Sequence, residues 1–185
     1  MYLKKADIVI RNAGIDDCDQ LAKWWNNGDV MAHAGFPLGL HTTAAEIEHQ
    51  ISQDTDETKR RLIIEYQGQR IGEMSYYNLE NHVAEIGIKI CEPSYQEKGL
   101  GRVILSLLIR ELFYRGYSKI ILDTNLNNTR AQHVYEKLGF QKVRINENSW
   151  KNQLGELQSS VDYSLSPENF KDLSEESGDC KPPQS

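Results

Sequence analysis

Three features of the apolar pattern predict an α/β (α+β) fold for this chain. Residues 61–66 and 70–77 are two runs rich in β-branched and aromatic side chains joined by Gln67-Gly68-Gln69, the signature of a hairpin. Residues 83–90 alternate apolar Ile86, Ile88 and Ile90 with small or polar neighbours, the period of a half-buried strand. Leu100, Val103, Ile104, Leu107, Leu108 and Leu112 then recur at helical spacing, so an amphipathic helix closely follows a strand.

From the N-terminus, Ile8-Val9-Ile10-Arg11 forms a first strand, and Asp16 or Asp17 caps a helix through Leu21-Ala22-Lys23-Trp24-Trp25. A second helix starts after His41, where Thr43 and Glu46 stand at capping-box spacing and Ile47 and Ile51 face inward one turn apart. The hairpin follows, and 83–91 adds a third antiparallel strand ended by Pro93. Gly116 stops the helix that begins at Leu100, and Lys119-Ile120-Ile121-Leu122 is a short strand after which Asp123-Thr124-Asn125 turns the chain out of the sheet. Asn128 caps a further helix closed by Gly139, and Phe140 enters another strand. From Pro167 onward Ser, Glu, Asp, Lys and Pro dominate, with Phe170 and Leu173 the sizeable apolar residues. A single domain over 1–166 and a disordered tail over 167–185 are therefore expected.

The segment from Tyr95 to Arg102 joins the strand to the helix and has the makings of an anion site. Gly99 and Gly101 let the backbone approach a phosphate, the first helical turn presents unpaired N–H groups at the positive end of the helix dipole, and Lys98 and Arg102 add charge. A solvated turn is the alternative. The nucleotide-binding patterns do not fit: Gly-x-x-x-x-Gly-Lys-Ser/Thr is absent, and Ile104 stands where Gly-x-Gly-x-x-Gly needs its third glycine.

Gln96-x-x-Gly99-x-Gly101, followed by Asn128-x-x-Ala131-x-x-x-Tyr135-x-x-x-Gly139-Phe140, resembles the acetyl-CoA pyrophosphate loop and the later cofactor helix of the GNAT superfamily of N-acetyltransferases. With flanking elements the resemblance runs from about Asp7 to Leu165. It implies a mixed, mostly antiparallel sheet flanked by helices, whose parallel strands on either side of the loop and its helix splay apart to hold acetyl-CoA. It implies acetyl-CoA as donor, no metal, and cofactor contacts from Ile88, Ile90, Cys91, Gln96, Glu97, Lys98, Gly99, Leu100, Gly101, Arg102, Asn128, Ala131 and Tyr135. Helix capping is the alternative role for Asn128.

Composition is consistent with such a protein. The net charge of −6 and pI near 5.4 argue against nucleic acid as the general partner and lean towards a cationic one. No apolar run approaches the ~20 residues that cross a bilayer, and the first residues lack an apolar signal region, so a soluble cytoplasmic protein without membrane attachment is expected. Cys18, Cys91 and Cys180 are scattered and odd in number, which suggests neither a disulfide framework nor a zinc site. A homodimer is expected by analogy with the family alone.

Acetyl transfer to an amine requires loss of a proton from nitrogen, stabilisation of the carbonyl oxygen, and help for the departing thiolate. Tyr135 stands at the family's position for the group near the CoA sulfur, with packing on the sheet as its alternative. Glu85 and Glu73 are the candidate bases, each on a strand beside the expected cleft, and a backbone N–H near Ile90 or Cys91 would meet the oxyanion. Cys91 reads as a small buried thiol rather than a nucleophile. His133 lies about 200° round the helix from Tyr135, and both it and His33 read as surface or packing residues.

Trp24, Trp25 and Phe36 fall where the family builds its acceptor side. Their surroundings look like the ribosomal-protein N-terminal acetyltransferase branch and its small-molecule relatives, whereas Leu62 to Gly72 and Cys91 to Tyr95 look like aminoglycoside 6′-N-acetyltransferases. The expected function is acetylation of a small-molecule amine or a protein N-terminus by direct attack, with the aminoglycoside activity as one alternative. A non-catalytic acyl-CoA-binding or sensing module is the alternative of another class.

Overall fold

The computed structural model describes residues 1–175. Eight strands form one sheet: β1 (Tyr2–Lys5), β2 (Ile8–Asn12), β3 (Lys59–Tyr66), β4 (Gln69–Leu79), β5 (Val83–Ile90), β6 (Lys119–Asn125), β7 (Gln141–Lys151) and β8 (Leu157–Leu165), in the order β1-β2-β3-β4-β5-β6-β8-β7. The neighbours are antiparallel except β5 and β6, which are parallel because a crossover helix, α4 (Leu100–Tyr114), joins them. The mixed, mostly antiparallel sheet of the sequence reading is present.

Helices cover both faces. On one side lie α1 (Cys18–Trp25), the short α2 (Gly28–Met31) and α3 (Ala44–Ile51). On the other lie α4 and α5 (Thr129–Lys137). Leu62, Ile63 and Ile64 on β3 show why the apolar run there is unbroken: all three are fully buried, Leu62 and Ile64 against the α4 side and Ile63 against the α1–α3 side. The predicted caps form where the chemistry supports them. Thr43 and Glu46 close a reciprocal capping box on α3, and the Asn128 side chain accepts the Ala131 N–H at 3.3 Å.

Three expectations change. The strand after α4 does not turn out of the sheet at Asp123 but continues to Asn125, because β8 pairs with it as far as Asn125↔Ser160. Asp17 precedes α1 but does not cap it. Its carboxylate takes the Gly14 N–H (2.8 Å) and ion pairs from Arg11 (2.7 Å) and Arg70 (2.8 Å). Residues 167–175, expected to be disordered, are packed on the helices. The Phe170 ring lies 5.8 Å from that of Phe113, the Lys171 N–H donates to the Leu138 carbonyl, and the Leu173 N–H to Ser106 Oγ. Two aromatic and aliphatic anchors in nine residues outweigh the polar composition. The rest of the predicted tail, 176–185, lies outside the described residues.

Candidate active site

β5 and β6 pair only from Val83↔Lys119 to Glu85↔Ile121, yet β4 stays paired with β5 to Ile90 and β8 with β6 to Asn125. Both strands therefore continue while parting from each other, and a cleft of about 830 Å³ opens between them. Its walls come from Ile88 and Ile90 on one side, from Leu122 to Asn125 on the other, and from the N-terminal turns of α4 and α5 at one end.

Backbone alternation gives the opening its polarity. The Cys91 N–H donates to the Ile71 carbonyl at 2.9 Å, on the β4 side, so the amides of Ile90 and Ile88 point to the opposite strand edge, into the gap. Of the two amides expected to meet an oxyanion, that of Cys91 is thus committed to β4 and that of Ile90 faces the cleft. The Ile90 carbonyl accepts from Gln96 Nε2 at 2.8 Å, which ties the glycine loop to the end of β5.

Gly99 precedes α4 with φ 74, a left-handed conformation that suits glycine. The first turn of α4 has no acidic residue and no side-chain cap, so its N–H groups are left for an anion at the cleft. A Cβ at Gly101 would lie 3.9 Å from Ile90 Cδ1, so anything larger than alanine would project into the space between loop and strand. Arg102 lines the same wall. Arg130 at the start of α5 pairs with Glu97 at 2.9 Å across the mouth, a contact that sequence reasoning missed because the two lie on separate elements.

Tyr135 lies deep in this cleft, 7% exposed, with its ring edge-on to Phe140 and Tyr163. Burial, with the Asp123 charge second, pushes its pKa up to about 12, so it is a neutral phenol at physiological pH. The ring packs against Phe140 and Tyr163, as the packing alternative expects, and the residue also lines the cleft.

Several other expected contacts are not brought to the cleft. Cys91 is 2% exposed on the α1–α3 side, and burial drives its thiol pKa far upward, so it neither lines the opening nor forms a ready thiolate. The Lys98 ammonium lies 5.8 Å over the Tyr95 ring rather than along the wall. Glu73 receives Trp25 Nε1 on both oxygens at 2.9 Å and the Lys89 ammonium at 3.5 Å. Glu85 has a raised pKa, from burial and then from Asp123, but stands within the paired part of the strands and does not line the cleft.

The acceptor side differs most from expectation. Trp24 is buried with its Nε1 on Glu92 (2.7 Å), Trp25 donates to Glu73, and Phe36 does not line the opening. In their place stand Asp29, Val30, His33 and Ala34 from α2 and the turn after it, and Trp150 from β7. His33 is exposed, as expected, but exposed towards the cleft. Trp150 packs on Gly35, where a Cβ would come within 2.5 Å of the ring. The hairpin carrying it is tied down by the Gln153 N–H on the Gly35 carbonyl (2.8 Å) and by Gln153 Oε1 on the Leu38 N–H (2.9 Å).

A family model described as an acetyltransferase (GNAT) domain matches residues 7–141. The chain belongs to the GNAT acetyltransferase family. Among curated relatives of this GNAT protein, a [ribosomal protein bS18]-alanine N-acetyltransferase of Escherichia coli K12 is 42% identical over 57 residues, 31% of this chain and 38% of that one. The corresponding Haemophilus ducreyi protein is 31% identical over 74 residues, 40% of this chain and 51% of its own length. The chain thus spans between about two fifths and half of the curated relatives it matches.

Solved structures share the fold across most of the GNAT chain. A spermidine N-acetyltransferase from Vibrio cholerae, in complex with CoA and spermine, superposes with TM-score 0.79 at 22% identity, covering 89% of this chain and 98% of that one. A ribosomal-protein-S5-alanine acetyltransferase from Vibrio fischeri gives 0.78 at 17%, covering 92% and 99%. No helix among the described residues is long and apolar enough to cross a membrane. Among the described residues no group of three or more His, Cys, Asp or Glu could hold a metal ion.

Proposed function

We propose that this protein transfers the acetyl group of acetyl-CoA directly to a primary amine, on a small molecule or at a protein N-terminus. The observation that carries this reading is the parting of β5 and β6 between the uncapped N-terminus of α4 and the Tyr135 side chain. Acetyl-CoA supplies an activated thioester. The residues present suit its shape and charge: donors without side-chain caps at one end, a slot edged by the Ile88 and Ile90 backbone, and an apolar floor from Leu100, Leu105 and Val134.

The amides of α4's first turn, with Arg102, would hold the pyrophosphate. The slot would align the pantetheine arm as an added strand edge, and the Ile90 N–H would donate to the carbonyl oxygen as charge builds there. A phenol with pKa about 12 does not readily give its proton to a thiolate whose parent thiol ionises about 3–4 units lower. Tyr135 therefore serves as a hydrogen-bond donor to the leaving sulfur. A neutral phenol placed in the same cleft as the anion-binding turn also favours catalysis over a passive acyl-CoA-binding module.

The acceptor would enter between α2 and the Trp150 hairpin. Asp29 and Asp123 there suit a positively charged amine better than a neutral one. The relatives named for spermidine and for ribosomal-protein alanine support both acceptor classes, and a cytoplasmic setting with them. Incubation with radiolabelled acetyl-CoA and separate panels of polyamines, alanine-ended peptides and aminoglycosides tests the reading. Label on one class is the expected result. Tight acetyl-CoA binding with no label on any amine would favour the binding module.

A further inference from the structure

We propose that the acceptor is the N-terminus of a protein, and that apolar side chains a few residues into that protein dock on Phe36, Leu38 and Leu154 at the mouth of the cleft. The inference rests on the acetyl-transfer reading above and names its acceptor. The wall of the acceptor side leads outward from Trp150, which lines the cleft and packs on Gly35, to the loop that follows Gly35. Phe36 and Leu38 on that loop are 38% and 56% exposed, and Leu154, in the turn between β7 and β8, is 55% exposed. Gln153 holds the two segments together. Its N–H donates to the Gly35 carbonyl (2.8 Å), its Oε1 accepts from the Leu38 N–H (2.9 Å), and its Nε2 donates to the Gly39 carbonyl (3.0 Å). Large apolar side chains from two distant segments thus stand outside the cleft on one tied junction that adjoins its wall.

Single exposed apolar residues are ordinary, but a group of them on a fixed platform beside a ligand cleft is a docking surface. This platform is fixed. A Cβ at Gly28 would fall 2.0 Å from the Pro37 carbonyl oxygen, and one at Gly39 would fall 2.3 Å from that of Asn26, so the loop lies backbone to backbone on its neighbours. The Asn152 side chain accepts from the Leu154 and Glu156 N–H groups, each at 3.0 Å, and holds the turn. A partner that docks there orders little of this chain, which favours binding.

The chemistry of the acceptor side selects a protein N-terminus over a polyamine. A polyamine with one nitrogen at the thioester must place its other ammonium groups along the way out. Past Trp150 they would meet Leu38 and Leu154, which offer no counter-charge, and on the β5 wall they would meet the Lys89 ammonium. A protein N-terminus carries one ammonium, for which Asp29 suffices, followed by a chain whose side chains can be apolar. An extended chain covers about 3.3–3.6 Å per residue, so the third to sixth residues lie roughly 10–20 Å beyond the amine, enough to cross the Trp150 ring and reach the loop. An α-amino group, with pKa about 7.7–8.0, also gives up its proton far more readily than an alkylamine such as lysine at about 10.4. Transfer forms the N–C bond of an amide at that nitrogen and breaks the thioester C–S bond. CoA departs, and the proton that nitrogen loses passes to the thiolate or to solvent.

The test measures kcat/KM with acetyl-CoA for spermidine, an alanine-ended tripeptide amide, and two decapeptides that begin with the same tripeptide and continue with either leucine and phenylalanine or serine and glycine. The apolar decapeptide should exceed both the tripeptide and the polar decapeptide by about 10-fold, through KM, and should exceed spermidine. In the double variant Leu38→Ser with Leu154→Ser that margin should fall below about twofold, whereas Val143→Ser, at an exposed apolar site elsewhere on β7, should keep it. Acetyl-CoA affinity within about twofold of wild type, by calorimetry, reports that each variant folds. Equal rates for all the peptides, a preference for spermidine, or an apolar margin that survives the double variant would overturn the assignment. So would a wild-type dimer in sedimentation that the double variant dissociates, since the patch would then belong to a second copy. Acetylation of spermidine alone would leave the transfer reading standing without this inference. Acetyl-CoA binding with no amine acetylated would defeat that reading, and the inference with it.

Discussion

Tyr135 illustrates how one side chain carries both packing and chemistry. Its ring is fixed by Phe140 and Tyr163, while its pKa near 12 keeps the hydroxyl protonated. Removing only the oxygen should leave the ring in place, so Tyr135→Phe is expected to slow turnover by about 10–100-fold while acetyl-CoA affinity, measured by calorimetry, barely changes. An unaffected rate would remove the leaving-group role. This residue was legible in the sequence because its spacing from Asn128 and Gly139 is set by one helix. Asp123 was not. Aspartate disfavours strands and favours turns, so local chemistry read Asp123-Thr124-Asn125 as an exit from the sheet, and only the pairing with β8 keeps it there. Trp150 was missed for a similar reason: it reaches the cleft from a strand far along the chain, and no local pattern announces such a contact.

Among the elements, α4 and the loop before it follow from local rules: a left-handed glycine, an apolar stripe and a stop at Gly116, φ 92. The acceptor side depends instead on contacts between distant segments. The hairpin of β7 and β8 shifts register between Asn146 and Trp150, where Asn148 takes φ 48, and Trp150 beyond this irregularity packs on Gly35. Trp150→Ala should therefore raise KM for the amine by about tenfold and leave acetyl-CoA affinity alone, as separate titrations would show. Equal effects on both ligands would mean that the hairpin supports the whole cleft. A second junction, at the start of α1, is held by Asp17. Burial opposes its ionisation, but hydrogen bonds from Arg11 and the Gly14 N–H, with the Arg11 and Arg70 charges, prevail and hold its pKa below the usual aspartate range. Asp17→Asn weakens the hold on Arg70 and on Arg11, which keeps Glu65 at 2.8 Å, and should cost about 1–3 kcal/mol, seen as a lower urea midpoint. Because the folded pKa is depressed, this advantage of the wild type should be complete above about pH 4 and shrink as pH falls through the folded value.

At the scale of the whole molecule, the sheet is continuous by hydrogen bonding except where β5 and β6 part, and the helices that would bind an anion converge on that interruption. The order of elements and the parallel crossover could be anticipated, since alternating and helical periods are local. The edge strand β1 could not, because Tyr2-Leu3-Lys4-Lys5 is short, and its pairing with β2 is what makes it a strand. Nor could the packing of 167–175, whose few apolar residues count only because α4 and the Leu138 carbonyl are there to receive them. On the reading proposed above, the parted strands and the α4 N-terminus seat acetyl-CoA. Thermal unfolding of the wild type and of Gly101→Trp, each with saturating acetyl-CoA, CoA, ATP or NAD, tests it most directly. A ligand at about 100 times its Kd adds about 2.7 kcal/mol, several degrees for a domain of this size. Tm should rise for the wild type with acetyl-CoA and CoA alone, and the rise should be lost in a Gly101→Trp protein that still unfolds cooperatively. No rise with either CoA species, or the same rise in the variant, would contradict it.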